Sequence, residues 1–255
     1  MRTAHLFYML LLSTIFTVPM FGKLTPANTA VVVIDVQEDF TQPNSYKKEK
    51  KNGKPIEGRL QVPDSGDEYV KSVIDATRLL KKKGFKIYAT QDWHPQNHVS
   101  FASNNPGKKP FDRIKLKGAP GGMQTMWPDH CVINTDGARI LLPLTLFSGV
   151  VKKGTDPFHD SYSGFADDGG KETELNGILK ENGIKNLIIY GIATDYCVQA
   201  TALHGVDKNR GYKVYLITDL SRGVDFPPGT VEAAIETMKK AGVTVVGSLN
   251  ELLKK

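Results

Sequence analysis

Six short apolar runs constrain this chain more than any other feature. They are "TAVVVID" (29–35), "FKIYAT" (85–90), "SGVVKKG" (148–154), "NLIIYGI" (186–192), "KVYLITD" (213–219) and "VTVVG" (243–247). Each is rich in Val and Ile, is bounded by turn residues, and lacks the alternating polarity of a strand with one wet face. Such strands are covered on both faces. Between them lie segments of helical periodicity at 67–84, with Gly84 as a stop, at 171–183, after Cys197, and at 230–242. Strands and helices in this alternation predict a doubly wound α/β fold: a six-stranded, mainly parallel sheet with helices on both faces, Rossmann-like in outline. In such a sheet, chemistry gathers at the carboxyl ends of the strands.

Two long irregular segments interrupt the rhythm, 41–67 and 93–146. Loops of that length inside a compact domain are functional or disordered. The first reads as partly disordered around "KKEKKNGK" (47–54), and the second as site-forming, since it holds His94, His98 and His130. The first two dozen residues differ in kind: Arg2 precedes the uncharged stretch "LFYMLLLSTIFTVPMF" (6–21), and polarity returns at Gly22 and Lys23. This is the layout of a secretory signal, too short to span a bilayer comfortably. Met20, two positions before Gly22, makes a poor cleavage site, so an uncleaved anchor stays open. The expected organisation is a leader or anchor at 1–24 and one globular domain at 25–255. The expected location is the periplasm or cell envelope, with the cytoplasm as the alternative and membrane contact only through an uncleaved leader.

The formal charge of +6 does not point to nucleic acid, because much of the excess lysine sits in short runs and no arginine-rich or aromatic-and-basic stripe accompanies them. Two cysteines, Cys131 and Cys197, are too few for a disulfide framework. They fit either one bridge or one reactive thiol and one buried spectator.

Cys197 stands in "GIATDYCVQAT", just past an apolar run and at the start of a helical stretch. There the free N–H groups and positive end of a helix are expected to lower the thiol pKa and to hold an oxyanion. Taken alone, Cys197 reads more readily as a small buried hydrophobe. The ends of two other strands add Asp35 in "VVVIDVQEDF" and the pair Lys152 and Lys153 in "VVKKGTD". An acid and an ammonium beside a thiol activate it, although each by itself would serve as a turn cap or a surface charge. In "QDWHPQNHVSF", Asp92, His94 and His98 follow the second run, and His130 in "MWPDHCV" adds a third imidazole. That donor set suits a divalent cation: zinc, iron or manganese. The alternative is a turn with solvent-exposed histidines.

Together "VVVIDVQEDF", "YATQDWHPQNHVSFAS", "MWPDHCV", "VKKGTDP", "DSYSGF" and "GIATDYCVQATALHG" are laid out as in the nicotinamidases (pyrazinamidases), and the chain resembles that family of isochorismatase-like cysteine hydrolases from Thr29 to Leu253. The resemblance implies hydrolysis of nicotinamide to nicotinic acid and ammonia through a cysteine thioester, in pyridine nucleotide salvage. It implies a catalytic triad of Asp35, Lys153 and Cys197, and an oxyanion hole from the N–H groups of Ala193 and Cys197 beside a cis Ile192–Ala193 peptide. It also implies a metal set of Asp92, His94, His98 and His130, with zinc first among the cations, and ring walls of Phe40, Trp127 and Tyr162. Cys131 falls to spectator, and a homo-oligomer is compatible. The leader and the expansion "SYKKEKKNGKPIEGR" depart from the family pattern without touching a matched site residue. Open alternatives are a sister hydrolase acting on another amide, a carbamoyl or ureido compound or an isochorismate-like ether, attack by metal-bound water, and a binding protein that has lost turnover.

Overall fold

The computed structural model describes residues 24–42, 50–51, 54–55, 59–117 and 119–254. The leader lies outside them, as does most of the lysine-rich insertion, of which the two-residue strands Lys50–Lys51 and Lys54–Pro55 pair antiparallel.

All six apolar runs become strands of one sheet: β1 (Thr29–Ile34), β2 (Lys86–Asp92), β3 (Gly149–Lys153), β4 (Asn186–Ile192), β5 (Lys213–Arg222) and β6 (Thr244–Val246). Across the sheet the order is β6-β5-β4-β1-β2-β3, and every neighbouring pair is parallel. The chain winds outward through β1, β2 and β3, then returns to β4 and winds the other way. The strand order therefore reverses between β1 and β4, where open α/β sheets form their ligand crevice.

The absence of polar alternation has the anticipated cause in the middle of the sheet, whereas the edge strands β3 and β6 are only partly covered. Every residue of β1 and β4 is buried, and successive side chains enter opposite layers. Val31, Val33, Ile188 and Tyr190 face a layer closed by α1 (Asp67–Lys82) and α5 (Leu249–Leu253) through residues such as Val70, Val73 and Leu252. Ala30, Val32, Leu187 and Ile189 face the other, closed by α2 (Leu175–Glu181), α3 (Gln199–Val206) and α4 (Thr230–Lys240) through Leu175, Leu179, Ala202 and Met238. Fully burying one such aliphatic side chain stabilises the fold by about 1.5–3 kcal/mol.

At the switch point β1 and β4 approach closely. Gly191 has φ +136°, and a Cβ there would fall 2.1 Å from the Ile34 carbonyl oxygen, so only glycine allows this approach. The fold also departs from expectation in places. α2 is shorter than the 171–183 pattern, because Glu172 is taken up in a bridge to Ala166. The 93–146 segment contains a small hairpin, Arg113–Lys115 with Met123–Thr125. Among the described residues no helix is long and apolar enough to cross a membrane.

Candidate active site

Four adjacent strands, β4, β1, β2 and the edge strand β3, each deliver one ionisable group to the same rim. Asp35 follows β1 in the left-handed region, at φ 45°. Its N–H donates to Thr90 Oγ1 at 3.2 Å, and that hydroxyl donates to Asp35 Oδ1 at 2.6 Å. With Oδ1 so engaged, Oδ2 faces Lys153 Nζ at 3.0 Å. Strand alternation at the end of β3 separates the two lysines. Lys152 turns out, its ammonium 4.1 Å from the Trp93 ring centroid, and Lys153 turns in, only 1% exposed. Lys153 Nζ donates to the Asp92 carboxylate, opposite it in register on β2, and to the Ser161 carbonyl at 2.8 Å, and lies 3.4 Å from Cys197 Sγ. Burial opposes the Lys153 charge, but the Asp35 and Asp92 carboxylates outweigh it and hold the ammonium pKa well above its ordinary value.

Cys197 lies in a π-helical turn, Thr194–Val198, that leads into α3, and the Ile192–Ala193 peptide before that turn is cis. Such wide turns recur at functional sites. One expectation is corrected here. The start of a helix was to lower the thiol pKa, yet burial pushes it well above the ordinary value, with Lys153 opposing and the two carboxylates adding to the rise. Cys197 is 8% exposed, and two carboxylates with one ammonium make a site that disfavours a resting thiolate. Asp35 is shifted the same way: burial raises its pKa against the pull of Lys153, with Asp92 adding to the rise. A carboxylate made more basic by burial, beside a thiol that keeps its proton, is arranged for proton transfer during attack rather than before it.

The imidazoles are oriented from behind. His94 Nδ1 donates to the Gly154 carbonyl at 2.9 Å, and His130 Nδ1 to the Pro128 carbonyl at 2.8 Å. A carbonyl only accepts, so in the neutral rings each Nε2 keeps its lone pair for a cation. Gly154, at φ +64°, is required by this packing, since a Cβ there would fall 2.3 Å from His94 Cε1. Burial, and then the neighbouring His94, lower the His130 pKa to about 4, which keeps that ring neutral. His98 is held differently: its Nε2 faces the His159 carbonyl at 3.2 Å, and its Nδ1 meets the Ser100 hydroxyl at 2.7 Å. The donor atoms accordingly form two triplets sharing His94, each with its members within 4.8 Å of one another: Asp92, His94 and His130, and His94, His98 and Asp160. Burial works against ionised Asp92, but Lys153 prevails and holds its carboxyl well below the usual range, while Asp92, 3.5 Å from His94 Nε2, in turn raises the His94 pKa against the effect of burial. Carboxylate and imidazole are donor groups that a divalent cation takes, and a cation bound here would displace the proton that Asp92 favours on His94, so the residues fit one.

Both ends open on a cleft of about 260 Å³ whose lining includes Asp92, His130, Ala193 and Cys197. Phe40, Trp127 and Tyr162 are among its walls, with Trp127 Nε1 donating to Tyr162 Oη at 3.1 Å. The residues from Arg59 to Val62, at the end of the insertion, line it too.

Sequence reasoning missed four contributors. Thr90 aims Asp35. Gln37 Nε2 donates to the Asp92 carbonyl at 2.9 Å, and Gln37 Oε1 accepts from the Asp92 N–H at 2.8 Å, locking β1 to β2 beside the site. Asp160 joins the second triplet, and Tyr196 lines the cleft with its ring edge-on to Trp127, centroids 5.5 Å apart. Tyr196 alone had a legible signal, being adjacent to the thiol.

A buried thiol between an acid and a lysine, at the switch point of a parallel α/β sheet and within reach of a cation site, defines a cysteine hydrolase of the doubly wound class. Residues 29–249 match the isochorismatase domain, and the chain belongs to that family. It is 40% identical over 223 residues to the nicotinamidase of Escherichia coli, covering 85% of this chain and 93% of that one. The solved nicotinamidase/pyrazinamidase of Acinetobacter baumanii superposes with a TM-score of 0.73 at 37% identity, covering 88% and 98%. A pyrazinamidase of Pyrococcus horikoshii, solved in complex with zinc, gives 0.64 at 36% identity, covering 86% and 98%.

Proposed function

We infer that this protein hydrolyses nicotinamide to nicotinic acid and ammonia. One observation carries the reading: a thiol flanked by Asp35 and Lys153 shares a single aromatic-walled cleft with an imidazole-carboxylate set. Nicotinamide needs both, having a carboxamide to cleave and a pyridine nitrogen with a lone pair.

Phe40, Trp127 and Tyr162 sandwich and orient the ring, which turns an encounter in solution into a positioned reaction. Cys197 Sγ attacks the amide carbon while its proton passes to Asp35, and the carbon-sulfur bond forms as the carbonyl becomes an oxyanion. The N–H groups of Ala193 and Cys197 hold that oxyanion, and Lys153 offsets the negative charge gathering around it. Asp35 returns the proton to the departing nitrogen, ammonia leaves, and a thioester remains on Cys197. Asp35 then takes a proton from water as it attacks the thioester, releasing nicotinic acid and restoring the thiol. Asp92, His94 and His130, with His98 beside them, would hold a divalent cation, which would supply a Lewis acid toward the ring nitrogen. Zinc is our choice, from the donor set and the zinc-bound Pyrococcus relative. The uncharged 6–21 stretch after Arg2 supports export of the enzyme.

Ammonia release from nicotinamide by purified protein, compared before and after chelation and after zinc is restored, tests the assignment. Turnover that fades on chelation and returns with zinc is expected. Nicotinamide bound without release of ammonia would leave only a binding protein.

A further inference from the structure

Asp195 lies two residues before Cys197 in the Thr194–Val198 turn, and the chemistry above makes no use of it. Its carboxylate accepts three hydrogen bonds, two from the connection between β5 and α4 and one from the first residue of α4. The Val224 N–H reaches Oδ1 at 2.9 Å, the Asp225 N–H reaches Oδ2 at 3.0 Å, and the Thr230 hydroxyl reaches Oδ2 at 2.8 Å. The connection is tightly seated: a Cβ on Gly223 would fall 2.2 Å from Val231 Cγ2 and 3.1 Å from Asp195 Oδ1. It is braced internally as well, since Asp225 Oδ1 accepts from the Gly229 N–H at 2.8 Å and the Val231 N–H at 3.2 Å. Val224, whose N–H Asp195 holds, lines the cleft together with Tyr196 and Cys197.

We propose that Asp195 is a positioning residue for the nicotinamide site, clamping the 223–229 connection and the start of α4 to the turn that carries the nucleophile so that Val224 stands as a fixed wall of the cleft. The proposal rests on the nicotinamidase reading. Hydrogen bonds to a carboxylate are stronger than neutral ones, and three of them converge on one side chain. Asp195 itself does not line the cleft; the wall residue its carboxylate holds by hydrogen bond is Val224, which bounds the space for the ring and takes no part in proton transfer. Loss of Asp195 therefore weakens binding more than it slows chemistry, and it does so through Val224.

Steady-state kinetics on nicotinamide with the zinc-loaded full chain test this, using Asp195→Ala, Val224→Ala and the double variant. Asp195→Ala is expected to raise KM about tenfold while kcat stays within about threefold, the size expected for losing charge-assisted hydrogen bonds. The double variant should be no worse than the larger single effect, because both substitutions remove the same wall. An unchanged KM, a loss confined to kcat, or KM effects that multiply in the double variant would overturn the proposal. Should Asp195→Ala fail to fold, Thr230→Val deletes one donor alone. A rise in KM of about two- to threefold then supports the clamp, and an unchanged KM refutes it. If the wild-type protein releases no ammonia from nicotinamide, the functional reading fails, and the clamp is judged by hydrogen exchange. Faster exchange of the Val224 and Asp225 amides in Asp195→Ala sustains it, and equal rates end it.

Discussion

Asp35, Asp92, Lys153 and Cys197 hang from the ends of four adjacent strands, whereas His98, His130 and Asp160 stand on loops and are held by side-chain hydrogen bonds. On the strand side, position is set by sheet register: Asp92 and Lys153 are partners because β2 and β3 are hydrogen-bonded in that frame. On the loop side, position depends on single contacts such as Pro128 to His130 and Ser100 to His98. The strand side is therefore rigid but electrostatically tense, with a charge network buried out of water. The loop side is adjustable, and binding strength can be tuned there without disturbing the core.

The contrast can be broken most severely at the thiol. Cys197→Ala should lower kcat by about 10⁴-fold or more while nicotinamide still binds. Full turnover in that variant would mean that the strand side carries no chemistry. Lys153→Ala comes next, because it strands two buried carboxylates without their counter-charge. A loss of about 3–5 kcal/mol in unfolding free energy by denaturant titration is expected, and a stability close to wild type would show the network to be slack. On the loop side the effects should be smaller and graded. Competitive chelator titration of His94→Ala should show about 100-fold weaker zinc binding, and His98→Ala about tenfold or less, since His94 belongs to both donor triplets. Equal losses would erase the distinction between them.

The mildest effect concerns Asp168, whose pKa burial and then Asp160 raise to about 7. An unfolded aspartate titrates near pH 4, so between about pH 4 and 7 the folded state holds a proton that the unfolded state has released. Stability contributed by this group is thus present at low pH and falls as pH rises through that window. Its partial solvent contact limits the effect to about 1 kcal/mol. Asp168→Asn should flatten the dependence of Tm on pH over the window, and an unaltered slope would remove Asp168 as its source.

Much of the strand side was legible because its rules are local. Six Val- and Ile-rich runs and an acid, a lysine or a cysteine just past three of them suffice to predict a shared rim. Even Lys152 and Lys153 separate by the two-residue period of a strand. Thr90 and Gln37 were illegible because their partners, Asp35 and Asp92, lie 55 residues away in the chain and meet them only once β1 lies beside β2. Asp160 was hidden for a similar reason, since nothing near it in sequence hints at His94 or His98. The thiol pKa was misjudged because a helix terminus can be read from sequence, while burial and two flanking carboxylates cannot.

The two cysteines pack in different layers of the core, Cys131 with the α1 side and Cys197 with the α2–α4 side, and both are free thiols. The sheet is thus an insulator between them. In an oxidising compartment the chain keeps its nucleophile from being captured by its own second sulfur, and the route left for inactivation is a small oxidant or thiol reagent entering by the substrate's door. Nicotinamide in the cleft would then shield the enzyme from such reagents as well as being consumed by it.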